Sequence, residues 1–439
     1  MNDGLPPDRL FNRNFTLIIS SQCVALLGNA LYSVVLVLYL KQMTGSATVL
    51  GVMELLAFLP MVLLGPFAGA LVDRSDRKRV IAWSYFLSGM LMLVLFIFSL
   101  DRFAGPKVVD IGIARISLSA FPFTVYVVLC VTVCLGVIDS VFNAALNSVI
   151  PAILRRDKIQ RGNSLFHGMG GAVAIAGSAL GGILFSVLGA ALVFLINGVS
   201  YMAAAFTSLF MSIGRKGAAG REASSYSTFI GEVKEGFVFI WANKGLRDQT
   251  IVYMLSNLIF PAVMLSLPFL VEDVMKLGSA YYGYLLSIFT LSSVAGSFLF
   301  GLLRTTDRQN YVVICAIFCI EALLFLLLSF TTNVFLVFAL FSILSFCMAV
   351  SRLINTSIKQ KVIPGKIRGR AFGTLDSING ALVPLSFGLS GILIDMLGRN
   401  ILLIFSIIFV IYAALAVIFI SSGSIRRFYL ASEVSGEEG

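Results

Sequence analysis

The stretch "GPFAGALVDRSDRKRV", residues 65–80, joins a glycine-containing apolar run to a dense cluster of charges. Six of the seven residues from 73 to 79 are charged, whereas only 12% of the whole chain is charged and 58% of it is hydrophobic. A water-soluble domain typically has about 45–50% apolar and about 25% charged residues. The composition therefore predicts a membrane protein, in which the charged cluster marks one end of a membrane-spanning segment.

The apolar residues are concentrated in long runs. Each run has between 20 and 27 residues, which is enough to cross a hydrocarbon core of about 30 Å at about 1.5 Å per residue. The sequence therefore predicts an all-α membrane protein with twelve transmembrane helices. The twelve runs are 15–40, 48–72, 80–100, 123–149, 164–187, 189–212, 249–272, 281–303, 311–330, 334–357, 372–396 and 400–421.

The basic residues indicate which side of the membrane each loop faces. If the N-terminus is cytoplasmic, 25 of the 32 Lys and Arg residues lie in cytoplasmic segments, six lie on the opposite side, and Arg352 lies inside a predicted helix. Because cytoplasmic loops are enriched in Lys and Arg, we expect both termini to be cytoplasmic. The net charge of +10 is thereby explained by membrane topology, and nucleic acid is not expected as a partner.

The longest interior polar segment divides the predicted helices into two sets of six. Apolar residues between positions 229 and 241 recur at helical spacing, which predicts an amphipathic helix at the cytoplasmic membrane surface. The expected organisation is an N-terminal bundle (1–212), a cytoplasmic linker (213–248), a C-terminal bundle (249–421) and a cytoplasmic tail (422–439).

The two halves of the chain repeat each other. The tripeptide "VIP" occurs after predicted helix 4, at 149–151, and after predicted helix 10, at 362–364. The charged loop after predicted helix 2 has a degraded counterpart, "VAGSFLFGLLRTTDRQNYV" (294–312), at predicted helix 8. Such internal repeats are typical of secondary transporters, whose substrate site lies between the repeats.

The loop between predicted helices 2 and 3 resembles the signature of the major facilitator superfamily. In that signature a glycine and a leucine precede an Asp-Arg pair and further basic residues. The matching residues of "GALVDRSDRKRV" (69–80) are Gly69, Leu71, Asp73, Arg74, Arg77 and Lys78. The surrounding sequence is similar to the macrolide-efflux type of drug:proton antiporters. The resemblance implies a fold of two pseudo-symmetric six-helix bundles and an efflux function.

Predicted helix 5 resembles the glycine pattern of the superfamily's antiporters. Gly168, Gly177 and Gly181 keep the spacing of that pattern, and Gly182 stands where the pattern has proline. The resemblance implies that the three glycines form a helix-packing surface. Predicted helix 4 differs from proton-coupled members in lacking their common arginine.

The charged cluster is interpreted as a cytoplasmic gate. Gly65 and Gly69 are four residues apart, which removes side chains from one helix face and permits another helix to approach. By the resemblance, Asp73 faces the start of predicted helix 11 near Asp376, where a helix N-terminus stabilises a carboxylate by about 0.3–1 kcal/mol. The basic residues expected to pair with nearby acids or lipid phosphates are Arg74, Arg77 and Lys78. The alternative is that the cluster only anchors this loop in the cytoplasm.

Four charged residues lie inside predicted helices, where each costs at least about 2.5–3.5 kcal/mol. They are Glu54, Asp139, Glu321 and Arg352. Asp139 and Arg352 occupy matching positions of the two halves, so an ion pair that breaks during transport is one hypothesis. The carboxyl groups are candidates for coupling transport to proton or substrate movement. The alternative for each residue is a fixed ion pair or a side chain that reaches the membrane surface.

The leading hypothesis is a secondary active exporter in the cell membrane. It would move an amphiphilic small molecule, resembling a drug or macrolide, by alternating access in exchange for protons. The chain has no ATP-binding G-x-x-x-x-G-K-[ST] loop, which favours the proton motive force as the energy source. Neither enzymatic activity nor a cofactor or metal is expected, and we expect a monomer whose other partners are membrane lipids.

Two alternatives stay open. The first keeps the fold but changes the cargo to a lipid, a lysolipid, a siderophore or another metabolite. The second is a membrane sensor or scaffold that does not transport. The gate glycines argue against the second, because a static scaffold needs no surface on which helices slide. The segment 101–121 is long for an external connection, and nothing in the sequence assigns it a role.

The gate interpretation predicts a loss of transport when the Asp73 charge is removed. In the variant Asp73→Asn we expect transport to be nearly abolished while the amount of protein in the membrane is unchanged. Export from cells that lack other pumps measures the first, and immunoblotting of membranes measures the second. A wild-type transport rate in this variant would contradict the gate.

Overall fold

The structure, a computed structural model, describes residues 11–73, 75–100, 109–111, 114–116, 121–155, 158–211 and 226–434. These residues are almost entirely helical. The α-helices are α1 (Arg13–Thr44), α2 (Ala47–Asp73), α3 (Arg77–Phe98), α4 (Phe123–Ile153), α5 (Ile159–Leu209), α6 (Tyr226–Ala242), α7 (Lys244–Phe269), α8 (Ala280–Gly301), α9 (Asp307–Leu328), α10 (Val334–Val362), α11 (Gly365–Met396), α12 (Ile401–Ser421) and α13 (Gly423–Val434). A π-helical turn, Leu270–Val274, continues α7.

Eleven helices of the described chain are long and apolar enough to cross a membrane. One of them, α5, has 51 residues. At about 1.5 Å per residue it would be about 77 Å long, more than twice the thickness of a hydrocarbon core. The helix is interrupted at Gly189, whose φ of 74° and ψ of 173° are not helical. The break divides α5 into two segments of membrane-spanning length, where the sequence predicts the boundary between the fifth and sixth runs.

The chain forms two compact units. Unit 1 comprises Met1–Ala223 and Gly278–Ser287, and unit 2 comprises Ser224–Leu277 and Ile288–Gly439. In unit 1, α5 packs against α1 and α3, and α2 packs against α4. In unit 2, α9 packs against α12, and α7 and α6 pack against α11.

Glycines bring α5 and α1 close together in unit 1. A Cβ atom added at Gly177 would lie 2.5 Å from the Ala30 Cβ, and one added at Gly181 would lie 2.9 Å from the Val34 Cβ. No described heavy atom would lie within 4 Å of a Cβ added at Gly168. Gly182, which replaces the proline of the antiporter pattern, packs instead on the start of α8, because a Cβ there would lie 2.7 Å from the Ser279 carbonyl oxygen.

The linker segment contains α6, which docks on α11 within unit 2. The Arg370 guanidinium donates to the Glu235 carboxylate at 2.6 Å. A Cβ added at Gly236 would clash with the Thr374 side chain and lie 2.7 Å from the Arg370 carbonyl oxygen. Phe237 and Trp241 stack on each other with their ring centroids 4.8 Å apart, and both are exposed. Gly236 therefore faces α11, while the rings of Phe237 and Trp241 face outward.

The C-terminal segment, for which the sequence predicts only a tail, forms α13 and packs against α7 and α9. Ile425, Phe428 and Tyr429 are buried. The Ser424 hydroxyl donates to the Asp248 carboxylate of α7 at 2.5 Å. The end of the described chain is therefore an integral part of unit 2.

Two short strands lie in the segment between α3 and α4. β1 (Val109–Ile111) pairs antiparallel with β2 (Ala114–Ile116), and Asp110 stands opposite Arg115 in the register. The sequence shows no periodic pattern here, because strands of three residues are too short to produce one.

The close approach of α5 to α1 predicts different costs for two matched substitutions. Gly177→Ala forces the helices apart and is expected to destabilise the protein by about 1–3 kcal/mol, as overpacking does. Gly168→Ala adds its methyl group to open space and is expected to be neutral or slightly stabilising. Thermal unfolding of the purified variants in detergent measures both effects. Equal melting temperatures for the two variants would contradict the packing.

Candidate functional site

The loop between α2 and α3 is ordered by hydrogen bonds to its charged side chains. Asp76 caps α3, since its carboxylate accepts from the Lys78 backbone N–H at 3.1 Å. The Arg77 guanidinium donates to the Ser148 carbonyl oxygen at 3.3 Å, which joins the start of α3 to the C-terminal end of α4. Arg74 and the side chains of Asp73 and Asp376 lie outside the described residues. The expected approach of Asp73 to the start of α11, near Asp376, therefore stays a prediction.

Gly65 and Gly69 do not bring a neighbouring helix close to α2 in this structure. No described heavy atom would lie within 4 Å of a Cβ added at either residue. The close approach of α4 to α2 lies elsewhere, at Gly136, where an added Cβ would lie 2.5 Å from the Ala57 carbonyl oxygen. A glycine on α4 thus provides the space that the sequence analysis expected from the glycines of α2.

A polar cavity of about 130 Å³ lies inside unit 1 between α1, α3, α4 and the second segment of α5. We call it the unit 1 pocket. Its principal polar lining residues are Gln22, Asn29, Tyr85, Asp139, Asn143 and Tyr201. Gln22, Tyr85 and Tyr201 are buried, whereas Asn29, Asp139 and Asn143 are exposed, so the cavity is open on one side.

Aromatic side chains form one wall of the unit 1 pocket. The Tyr85 ring centroid lies 4.9 Å from that of Phe142 and 6.2 Å from that of Tyr201. The Tyr85 hydroxyl donates to the Gln22 side-chain oxygen at 2.6 Å, and both residues are buried. This hydrogen bond fixes the orientation of the Tyr85 ring in the wall.

Polar residues of α4 lead into the unit 1 pocket. Asp139, Asn143 and Asn147 are exposed and spaced four residues apart, so they lie on one face of the helix. Glu54 of α2 is half-buried, and the carboxylates of Glu54 and Asp139 both act electrostatically on Tyr32 of α1. The structure therefore brings two of the four predicted membrane charges to one region of unit 1.

The other two predicted membrane charges lie in different surroundings within unit 2. Glu321 of α9 is only 4% exposed, and its charge acts on Tyr253 of α7, Cys347 of α10 and Tyr412 of α12. Arg352 of α10 is exposed. Glu321 is thus enclosed by the helices of unit 2, whereas Arg352 is not.

The aromatic wall was not predicted from the sequence. The sequence signal that could have indicated the pocket is the set of amide side chains within apolar runs, because Gln22, Asn29 and Asn143 all line it. Among the described residues, no group of three or more His, Cys, Asp or Glu side chains has the arrangement to hold a metal ion.

Sequence comparison identifies the family of this chain. The sequence model of the Major Facilitator Superfamily matches residues 18–381 and also residues 249–432. The chain belongs to the major facilitator superfamily. It is therefore a multi-pass membrane transporter, and the relatives and solved structures that it resembles are transporters and not enzymes.

Curated relatives of this superfamily member include efflux proteins. Macrolide efflux protein A of Streptococcus pyogenes is 24% identical over 88% of this chain and 90% of its own length. The multidrug efflux pump Tap of Mycolicibacterium fortuitum is 23% identical over 88% of this chain and 90% of its own length.

Solved structures show the same fold. The nucleoside transporter NupG matches with a TM-score of 0.66 at 15% identity, covering 93% of this chain and 98% of that chain. A bacterial homologue of the iron transporter ferroportin, in an inward-facing state, matches with a TM-score of 0.62 at 16% identity, covering 92% of this chain and 98% of that chain. At these identities the likeness concerns the fold of the superfamily.

The exposed polar face of α4 predicts where water enters unit 1. In a cysteine-free background, we expect Asn143→Cys to react with a charged, membrane-impermeant methanethiosulfonate reagent. Ala145→Cys, at a fully buried position two residues later, is expected to react about tenfold or more slowly, because a buried thiol reacts only when the structure opens. Equal labelling rates in proteoliposomes would contradict a water-accessible pocket.

Proposed function

We propose that this transporter exports an amphiphilic small molecule from the cytoplasm across the cell membrane in exchange for protons. In this proposal twelve helices form two six-helix bundles with both termini in the cytoplasm. The monomer works by alternating access without a cofactor. The observation that carries the proposal is the unit 1 pocket, in which a carboxylate meets aromatic and amide side chains. The efflux relatives support the direction of transport.

The proton motive force is sufficient for this activity. One charge that crosses a potential of 100 mV releases about 2.3 kcal/mol. Since each tenfold concentration ratio costs about 1.4 kcal/mol, one proton exchanged for a neutral molecule sustains a gradient of about 50-fold. A proton exchanged for a monovalent cation moves no net charge, and the pH difference alone then drives the exchange. A single carboxyl group that binds and releases the proton is therefore enough for useful export.

The proposal is tested with the purified protein in liposomes that have an acidic lumen. We expect an amphiphilic dye with a permanent charge, which does not cross the bilayer unaided, to accumulate in the lumen when added outside, while the lumen becomes more alkaline. A protonophore should abolish both signals, and liposomes without protein should show neither. Accumulation that does not depend on the pH gradient would contradict proton exchange, and the absence of any accumulation would contradict export of amphiphiles.

The enclosed position of Glu321 makes it the candidate proton site in unit 2. Glutamine has a similar shape but cannot bind and release a proton, so Glu321→Gln is expected to keep downhill transport while losing the response to a pH gradient. Glu272→Gln, in the π-helical turn after α7, serves as the matched control. The ratio of uptake with and without the pH gradient measures the effect, and an unchanged ratio in Glu321→Gln would remove Glu321 from the proton path.

A further inference from the structure

The unit 1 pocket combines the two features that recognise an alkylated ammonium group. Of the described side chains that line it, Asp139 is the one that carries a formal charge, and this charge is negative. Tyr85, Phe142 and Tyr201 present aromatic rings beside it. The faces of aromatic rings attract cations, and aromatic cages bind quaternary ammonium ligands in other proteins. A carboxylate within such a cage favours a cation that also has methyl groups to bury.

The volume of the pocket limits what it can hold. A cavity of about 130 Å³ accommodates about four water molecules at about 30 Å³ each. It thus has space for a dimethylamino or trimethylammonium group. Since Asn29, Asp139 and Asn143 are exposed, the cavity is open on one side, so an amphiphile can insert its charged head group while its apolar body extends outward.

Unit 2 contains a buried cluster of similar composition. The internal repeat relates α1, α3 and α4 to α7, α9 and α10. In unit 2, Tyr429 of α13 inserts among these helices and is fully buried. The Gln249 amide donates to the Tyr429 hydroxyl at 2.7 Å, and the rings of Tyr311 and Phe419 lie 5.7 Å and 6.0 Å from that of Tyr429.

Tyr429 is surrounded by a glutamine, Gln249, and by aromatic rings. The unit 1 pocket is lined by the same types of side chain, namely Gln22, Tyr85, Phe142 and Tyr201. Apolar bundles are normally packed without voids of this size. In unit 2 the C-terminal helix places Tyr429 among these side chains, whereas in unit 1 similar side chains line a cavity beside Asp139.

We propose that the unit 1 pocket binds the protonated tertiary or quaternary amine of the transported amphiphile through Asp139 and the aromatic wall. This rests on the proposed function and names the chemical class of its substrate. The transporter should accordingly prefer amphiphilic cations over neutral molecules with the same apolar body.

A matched pair of fluorescent probes tests the proposal. Trimethylammonium-diphenylhexatriene and neutral diphenylhexatriene share one apolar body and differ in the head group. Equilibrium binding to the purified protein in detergent is measured for both at a single pH, so that a defect in proton coupling does not affect the result. Tetramethylammonium alone is expected to displace the cationic probe and not the neutral one.

Variants of the pocket separate charge recognition from structural effects. We expect Asp139→Asn to weaken binding of the cationic probe about tenfold or more and to leave binding of the neutral probe unchanged. Asp139→Glu is expected to retain most of the affinity for the cationic probe. Tyr85→Leu removes an aromatic ring and is expected to cost about threefold to thirtyfold for the cation alone. Asn143→Lys places a positive charge at an exposed lining position and should weaken cation binding even if Asp139→Asn does not fold. Asn147→Ala, one turn beyond the pocket, is the control.

Two results would overturn the proposal. One is equal affinity of the wild-type protein for the two probes. The other is that Asp139→Asn and Asn143→Lys leave cation binding unchanged or weaken both probes alike. The proposed function fails separately, by the absence of pH-driven accumulation of any amphiphile in liposomes.

Discussion

The hydrocarbon core of the membrane offers no water to polar groups, and the rest of the structure depends on this constraint. Backbone groups must be satisfied within helices, which explains why the described chain is almost entirely helical. Polar side chains must lie in interior cavities or bond to one another. In unit 1 they gather at the pocket beside Asp139. In unit 2 they form the hydrogen bonds that join Gln249 to Tyr429 and Asn355.

Small residues determine how closely the helices approach. Gly177 and Gly181 bring α5 to α1, Gly136 brings α4 to α2, and Gly236 brings α6 to α11. Because lipid and helix surfaces are equally apolar, such close van der Waals contact is a main source of helix association in membranes. Away from these contacts the two units differ. In unit 2 Tyr429 is buried and accepts a hydrogen bond from Gln249, whereas in unit 1 Gln22, Tyr85 and Tyr201 line a cavity.

The sequence predicts the apolar spans well because their detection requires only run length and composition. The break at Gly189 falls at the boundary expected between two runs. The rotation of each helix about its axis cannot be predicted in this way, because a run that is apolar on all sides has no periodicity to show which face turns inward. The sequence therefore indicated Asp139 but not Tyr85 or Tyr201. For residues 422–439 the sequence predicts only a tail, whereas the structure places Ile425, Phe428 and Tyr429 in a helix that packs against α7 and α9.

The central claim is that the two units change their relative arrangement during transport. Spin labels at Arg79→Cys in unit 1 and Arg304→Cys in unit 2, in an otherwise cysteine-free protein, allow the distance between the units to be measured by double electron–electron resonance in liposomes. The account predicts two distance populations whose proportions shift between low and high pH and on addition of substrate. A single distance that does not respond to either change would contradict it.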